Sequence, residues 1–108
     1  RVLDFGAGTG ILGLAALALG AMNVVMVEID KRSMEVAADN VARNGYEAKV
    51  ELVQKLPPEP TDSSSPAVFE VVVCNIPSNT LVSLMDQLVA ALVRSPAAGT
   101  EAGVEAGE

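Results

Sequence analysis

The sequence predicts an α/β chain: a doubly wound, mostly parallel sheet with helices packed on both faces. Three observations predict it. Short apolar runs alternate with stretches of helical periodicity, the pattern of strand–helix–strand units. Two of those runs, Val24-Val25-Met26-Val27 and Val71-Val72-Val73-Cys74, are continuous rather than alternating, as in strands covered on both faces. The first run, Val2 to Phe5, passes through Gly6-Ala7-Gly8-Thr9-Gly10 directly into a helical pattern. The chain has 108 residues, half of them hydrophobic, which allows one small domain with its own core.

Taken in order, Val2 to Phe5 reads as the first strand. Ile11 to about Leu19 follows as a helix that ends at Gly20, a good residue for the position after a helix. Val24 to Glu28 is the second strand, closed by an acid. Asp30 is an N-cap candidate, and Arg32 to Arg43 carries Met34, Ala37, Ala38 and Val41 at helical spacing. Asn44-Gly45 closes that helix. Lys49 to Val53 alternates and reads as a half-buried third strand, and Phe69 to Cys74 as a fourth. Thr80 to Val93 is a helix with Leu81, Leu84, Met85, Leu88 and Leu92 on one face.

Two stretches resist this pattern. Residues 56–67 contain four prolines and three serines, which predicts a flexible surface loop where a helix would be expected. Residues 95–108 repeat Ala, Gly and Glu without a period and read as a disordered tail. The organisation expected is therefore a core over 1–94 and a tail over 95–108. Four strands are few for a doubly wound sheet, and the chain opens inside a strand pattern, so a piece of a larger domain is expected.

Composition narrows the function. The formal charge of −7 argues against nucleic acid as the partner of this stretch, because phosphate backbones require clustered Lys and Arg. The single cysteine, Cys74, cannot form an internal disulfide and reads as a reduced core thiol. Without histidine, neither a His-based relay nor a His metal site can be built, and no metal is expected. No apolar run reaches the roughly 18 residues of a membrane span.

The glycines predict a nucleotide-type cofactor. They satisfy two overlapping patterns: Gly8-x-Gly10-x-x-Gly13, typical of dinucleotides, and Gly6-x-Gly8-x-Gly10 preceded by Asp4. A pyrophosphate would sit at the glycine turn and the following helix start, where the Asp4 carboxylate would repel it. The same carboxylate suits the cationic methionine end of S-adenosyl-L-methionine; a purely structural role, bonding loop amides, is the alternative. Glu28 ends the second strand and can accept two ribose hydroxyls of either cofactor. Asn75 ends the fourth strand, and in an open sheet it faces the same crevice. Its amide oxygen can hold an N–H donor, although Asn75-Ile76-Pro77 is also a common strand-closing turn.

On these residues the chain resembles the class I S-adenosylmethionine-dependent methyltransferases, over about residues 1–93. Asp4-Phe5-Gly6-Ala7-Gly8-Thr9-Gly10 is similar to their first motif, and Val27-Glu28-Ile29-Asp30 to the acidic end of their second strand. Asn75-Ile76-Pro77-Ser78 lies where amino-group methyltransferases carry Asn-Pro-Pro-aromatic, and is closer to the Asn-Ile-Leu-Ala type. That type belongs to the ribosomal-stalk protein methyltransferases and the lysine methyltransferases of the electron-transfer flavoprotein beta subunit; Asn40 and Asn44-Gly45 are also similar to this group. The resemblance implies a Rossmann-like fold with about four of seven family strands, and S-adenosyl-L-methionine as cofactor. It implies methyl transfer to a protein amino group, most simply a lysine. It assigns Asp4, Gly6, Ala7, Gly8, Gly10, Glu28, Ile29 and Asn75 to the cofactor, and Asn75, Ile76 and Pro77 to catalysis. The cytoplasm is the expected location, with the mitochondrial matrix as the alternative.

Some features depart from the family pattern. Ile76 and Ser78 replace Pro and an aromatic, removing a platform for a planar substrate. Gln54 stands near where an acid often meets the adenine, and the tail replaces a fifth strand. No general base is evident for a charged lysine. The readings left beside N-methylation are an NAD(P)-dependent oxidoreductase fragment, an RNA or small-molecule methyltransferase, and a non-catalytic truncated copy.

Overall fold

The computed structural model describes residues 1–55 and 69–92. Within them four strands alternate with helices: β1 (Val2–Phe5), α1 (Ile11–Ala18), β2 (Val24–Val27), α2 (Lys31–Arg43), a short 3₁₀ turn (Glu47–Lys49), β3 (Val50–Val53), β4 (Val71–Cys74) and α3 (Ser78–Ala90). The loop expected over 56–67 and the tail expected over 95–108 lie outside the described residues.

The strands form one parallel sheet in the order β3-β2-β1-β4. The chain builds outward from β1 through β2 to β3, then returns to the other side of β1, so the order reverses between β1 and β4. The register aligns the carboxyl ends: Phe5 lies opposite both Val27 and Cys74, and Val27 opposite Val53. The residues that follow, Gly6, Glu28, Gln54 and Asn75, therefore emerge at one end of the sheet. A doubly wound fold binds ligands at this end, beside the reversal.

Successive strand residues point to opposite faces, and two cores result. Val2, Val24 and Met26 meet Leu17 of α1 and Ala37 and Val41 of α2 on one face. Leu3, Val25 and Val27 meet Leu88 of α3 and Phe69 on the other. All four residues of β2 are buried, which explains its unbroken apolar run, whereas β4, at the sheet edge, is only partly covered and Val71 is 47% exposed. Among the described residues no helix is long and apolar enough to cross a membrane.

The helix ends follow local chemistry. The Asp30 carboxylate caps α2 by accepting from Ser33 N at 2.9 Å. Gly20 and Gly45 close α1 and α2: Ala21 N–H donates to Ala16 O at 2.9 Å and Tyr46 N–H to Val41 O at 3.1 Å, the six-to-one bonds of a Schellman ending.

Several boundaries differ from expectation. Strand β2 ends at Val27 rather than Glu28, and α3 ends at Ala90 rather than Val93. Lys49 belongs to the turn before β3, not to the strand. Phe69 is not in β4; it bridges to Leu92, beyond α3, and its N–H donates to Ala91 O at 3.2 Å. Helix α3 starts at Ser78 rather than Thr80, because Pro77, with φ −56°, is already set for a helix entry.

Candidate functional site

The loop between β1 and α1 is fixed by its neighbours. Gly6 N–H and Ala7 N–H both donate to Val27 O, at 2.8 and 3.0 Å, tying the loop to the end of β2. Gly10 N–H turns back to Ala7 O at 2.8 Å. Gly6, Gly8 and Gly10 have φ of 75°, 57° and 86°, a left-handed backbone that side chains with a Cβ rarely adopt. A Cβ on Gly8 would meet nothing within 4 Å, so the loop backbone is open there.

Glu28 joins this loop to the next one. Its Oε1 accepts from Gly8 N at 2.8 Å and its Oε2 from Asp30 N at 3.0 Å. Its own N–H donates to Val53 O at 3.0 Å. Each carboxylate oxygen accepts one donor, so each keeps acceptor capacity for a ligand hydroxyl. Ile29, the next residue, is 80% exposed at the rim of the same site.

Asp4 stands beneath the loop rather than at its mouth, where the sequence put it. It is 1% exposed, and its Oδ2 accepts from Gly13 N at 2.9 Å. Gly13 is the third residue of α1, and Gly10 at the N-cap has no side chain to satisfy it. Asp4 thus caps the helix across nine residues of chain, the task an Asp or Ser at the N-cap usually performs. The alternative of bonding loop amides is close to the contact Asp4 makes, but the amide it holds belongs to α1 and not to the loop. Burial pushes its carboxyl above the usual range; the Gly13 bond opposes this, and the charge of Glu28 adds to it.

Close packing explains Gly13. A Cβ there would lie 2.7 Å from Met26 Cε, 3.0 Å from Asp4 Oδ2 and 3.1 Å from Val24 Cγ1. Glycine lets α1 settle on β2 and lets Asp4 reach the helix.

The segment after β4 joins the same site. Cys74 pairs in register with Phe5, so Asn75 and Ile76 emerge beside Gly6. Ile76 packs on the loop so closely that a Cβ on Gly6 would run into Ile76 Cγ2. Asn75 and Pro77 are exposed, and Pro77 is the N-cap of α3. Of the residues expected at the site, Gly6, Gly8, Gly10, Glu28, Ile29, Asn75 and Ile76 meet at this end of the sheet. The Ala7 side chain faces the core instead, 7% exposed, and only its backbone belongs to the loop.

Residues 1–102 match the family described as ribosomal protein L11 methyltransferase (PrmA). The chain belongs to that family. Members from Ectopseudomonas mendocina and Stenotrophomonas maltophilia are 45% identical over 93 residues and 44% identical over 100 residues. Those matches cover 83% and 92% of this chain, which spans 29% of the length of each relative. The crystal structure of the ribosomal protein L11 methylase of Lactobacillus delbrueckii subsp. bulgaricus superposes with a TM-score of 0.71 at 35% identity, over 84% of this chain and 45% of that one. A dimethyladenosine transferase from Plasmodium falciparum gives 0.61 at 26% identity, over 88% and 31%.

The chain is thus a class I methyltransferase fold, and the cofactor that family and fold imply is S-adenosyl-L-methionine. The residues present fit that group. The open backbone at Gly8 and the spare acceptor capacity of Glu28 suit a ribose. The Glu28 carboxylate, bonded to the loop at Gly8 N, opposes a pyrophosphate there.

One contact had no expected role. Asn40 of α2 donates its Nδ2–H to Thr9 O at 2.9 Å. Its signal in the sequence is an amide set between Ala37 and Val41, the two buried residues of α2.

Proposed function

We propose that this chain carries the cofactor-binding part of an S-adenosylmethionine-dependent N-methyltransferase whose acceptor is a protein amino group, a lysine first. The observation that carries the reading is the packing of Ile76 on Gly6, which sets Asn75 beside the cofactor loop. Glu28 would hold the ribose hydroxyls, the Gly6–Gly10 backbone the methionine part, and Ile29 the apolar face of the adenine. Asp4 would act indirectly, by fixing the start of α1 under the loop. When bound, the cofactor supplies an activated methyl group. Asn75 would accept an N–H of the acceptor and hold its nitrogen facing the loop. Such orientation alone can lower a barrier by several kcal/mol.

The acceptor reading is supported by the relatives, which are named for a ribosomal protein. It favours a protein over a nucleic acid, as the net charge of −7 also does. The electron-transfer flavoprotein side of the resemblance gains no support from them. Their bacterial origin favours the cytoplasm over the mitochondrial matrix.

The test is methyl transfer by the full chain, using isotopically labelled S-adenosylmethionine and recombinant ribosomal protein L11, with peptide mass spectrometry. Label on a lysine or the terminal amine supports the reading. Label found only on RNA or a small molecule contradicts it.

A further inference from the structure

We propose that Asn40 is a positioning residue for the cofactor loop: from α2 it clamps the Thr9 carbonyl and holds the glycine turn in its binding conformation. The proposal rests on the reading of Gly6–Gly10 as the cofactor site.

The Thr9 carbonyl is available for a specific reason. Thr9 precedes Gly10, the N-cap of α1, whose carbonyl is the first to accept a helical bond, from Leu14 N at 2.9 Å. Gly13 N–H, an orphan donor of the first turn, goes to Asp4 Oδ2 at 2.9 Å. Asn40 Nδ2 takes the Thr9 carbonyl at 2.9 Å. A carbonyl can only accept, so the amide nitrogen must face it.

Asn40 is itself anchored. Its backbone carbonyl accepts from Asn44 Nδ2 at 2.8 Å and from Asn44 N at 3.2 Å. The buried neighbours Ala37 and Val41 seat α2 on the sheet. The Asn44 bonds engage the Asn40 backbone only, and the Asn40 side chain alone reaches Thr9.

The loop needs such a restraint. Three of its five residues are glycines in the left-handed region, and glycine loses more freedom on ordering than any other residue. Glu28 holds the loop at Gly8 N, 2.8 Å away, and Asn40 holds it at the next residue, Thr9. Ordering the loop before the ligand arrives removes that cost from binding.

The test compares the full wild-type chain with Asn40→Ala, Asn40→Asp and Asn44→Ala. Two quantities are measured: amide hydrogen exchange at Gly8 and Gly10 without ligand, and S-adenosylhomocysteine affinity by calorimetry. Both Asn40 variants should speed exchange at Gly8 and Gly10 and weaken binding by about three- to tenfold, the range of one neutral hydrogen bond. The isosteric Asp offers no proton to a carbonyl, so it should do no better than Ala, and it keeps the test open if Ala does not fold. Asn44→Ala should lower the melting temperature and leave loop exchange unchanged. Wild-type behaviour of Asn40→Asp in both measurements overturns the proposal. So does loop exchange in Asn40→Ala no faster than in Asn44→Ala. If the wild-type chain takes up no S-adenosylhomocysteine, the cofactor reading falls and the positioning role with it, while exchange still decides whether the clamp exists.

Discussion

Asp4 and Gly13 are joined by a hydrogen bond of 2.9 Å in which a buried strand carboxylate caps a helix it does not belong to. The bond ties the first strand to the helix start below the Gly6–Gly10 loop. Asp4→Ala should cost about 1–2 kcal/mol, the scale of a lost N-cap. Asp4→Asn keeps an acceptor for Gly13 and should cost less. Urea unfolding at constant pH measures both, and equal losses would contradict the capping role.

The same residue predicts a pH effect. The folded-state pKa of Asp4 lies above its ordinary value of 3.8, chiefly through burial. A raised carboxyl binds its proton more tightly in the folded state. Its contribution is therefore complete below pH 3.8 and declines as the pH rises through the raised value. Asp30 has the opposite sign: its carboxyl is lowered by the two Ser33 bonds, so its contribution fades as the pH falls below 3.8. Stability measured from pH 3 to 7 should show the declining component in the wild type and not in Asp4→Asn. An identical profile for the two proteins would contradict the assignment.

Gly13→Ala tests packing against propensity. Alanine favours a helix by about 1 kcal/mol over glycine. Here its Cβ would stand 2.7 Å from Met26 Cε and 3.0 Å from Asp4 Oδ2. Overpacking of this kind costs about 1–3 kcal/mol, so a net loss of stability is expected. Met26→Ala in the same chain should recover part of the clash, which a double-mutant cycle measures.

Gly6 and Ile76 should be coupled. Gly6→Ala places a Cβ against Ile76 at a φ of 75°, and S-adenosylhomocysteine binding should weaken by at least about tenfold for that combined clash and strain. Ile76→Ala in that background should restore part of the affinity by opening the space. Strict additivity of the two changes would separate Ile76 from the loop.

Much of the architecture is legible in the sequence because β1 and β2 are covered on both faces, so β2 is an unbroken apolar run and β1 is interrupted only by Asp4. Asp30 and Gly20 mark helix ends by contacts within a few residues. The differences arise where a distant partner decides. Phe69, separated from the apolar run of β4 by Glu70 alone, pairs with Leu92, 23 positions on. The direction of the Asp4 carboxylate depends on where α1 crosses β2, which composition does not reveal. Asn40 meets Thr9 across 31 residues, and only the fold brings them together. The glycines, Glu28 and Asn75 were legible because each follows a strand, and the register lines those strand ends up.

The central claim is that the Gly6–Gly10 loop and Glu28 form an S-adenosylmethionine-type site. Calorimetric titration of the full chain with S-adenosylhomocysteine and with NAD, for wild type and Glu28→Ala, tests it most directly. The account predicts binding of S-adenosylhomocysteine, no comparable binding of NAD, and a loss of about tenfold or more in Glu28→Ala, as expected when charge-assisted hydrogen bonds are removed. Tight binding of NAD alone, or S-adenosylhomocysteine affinity untouched by Glu28→Ala, would contradict it.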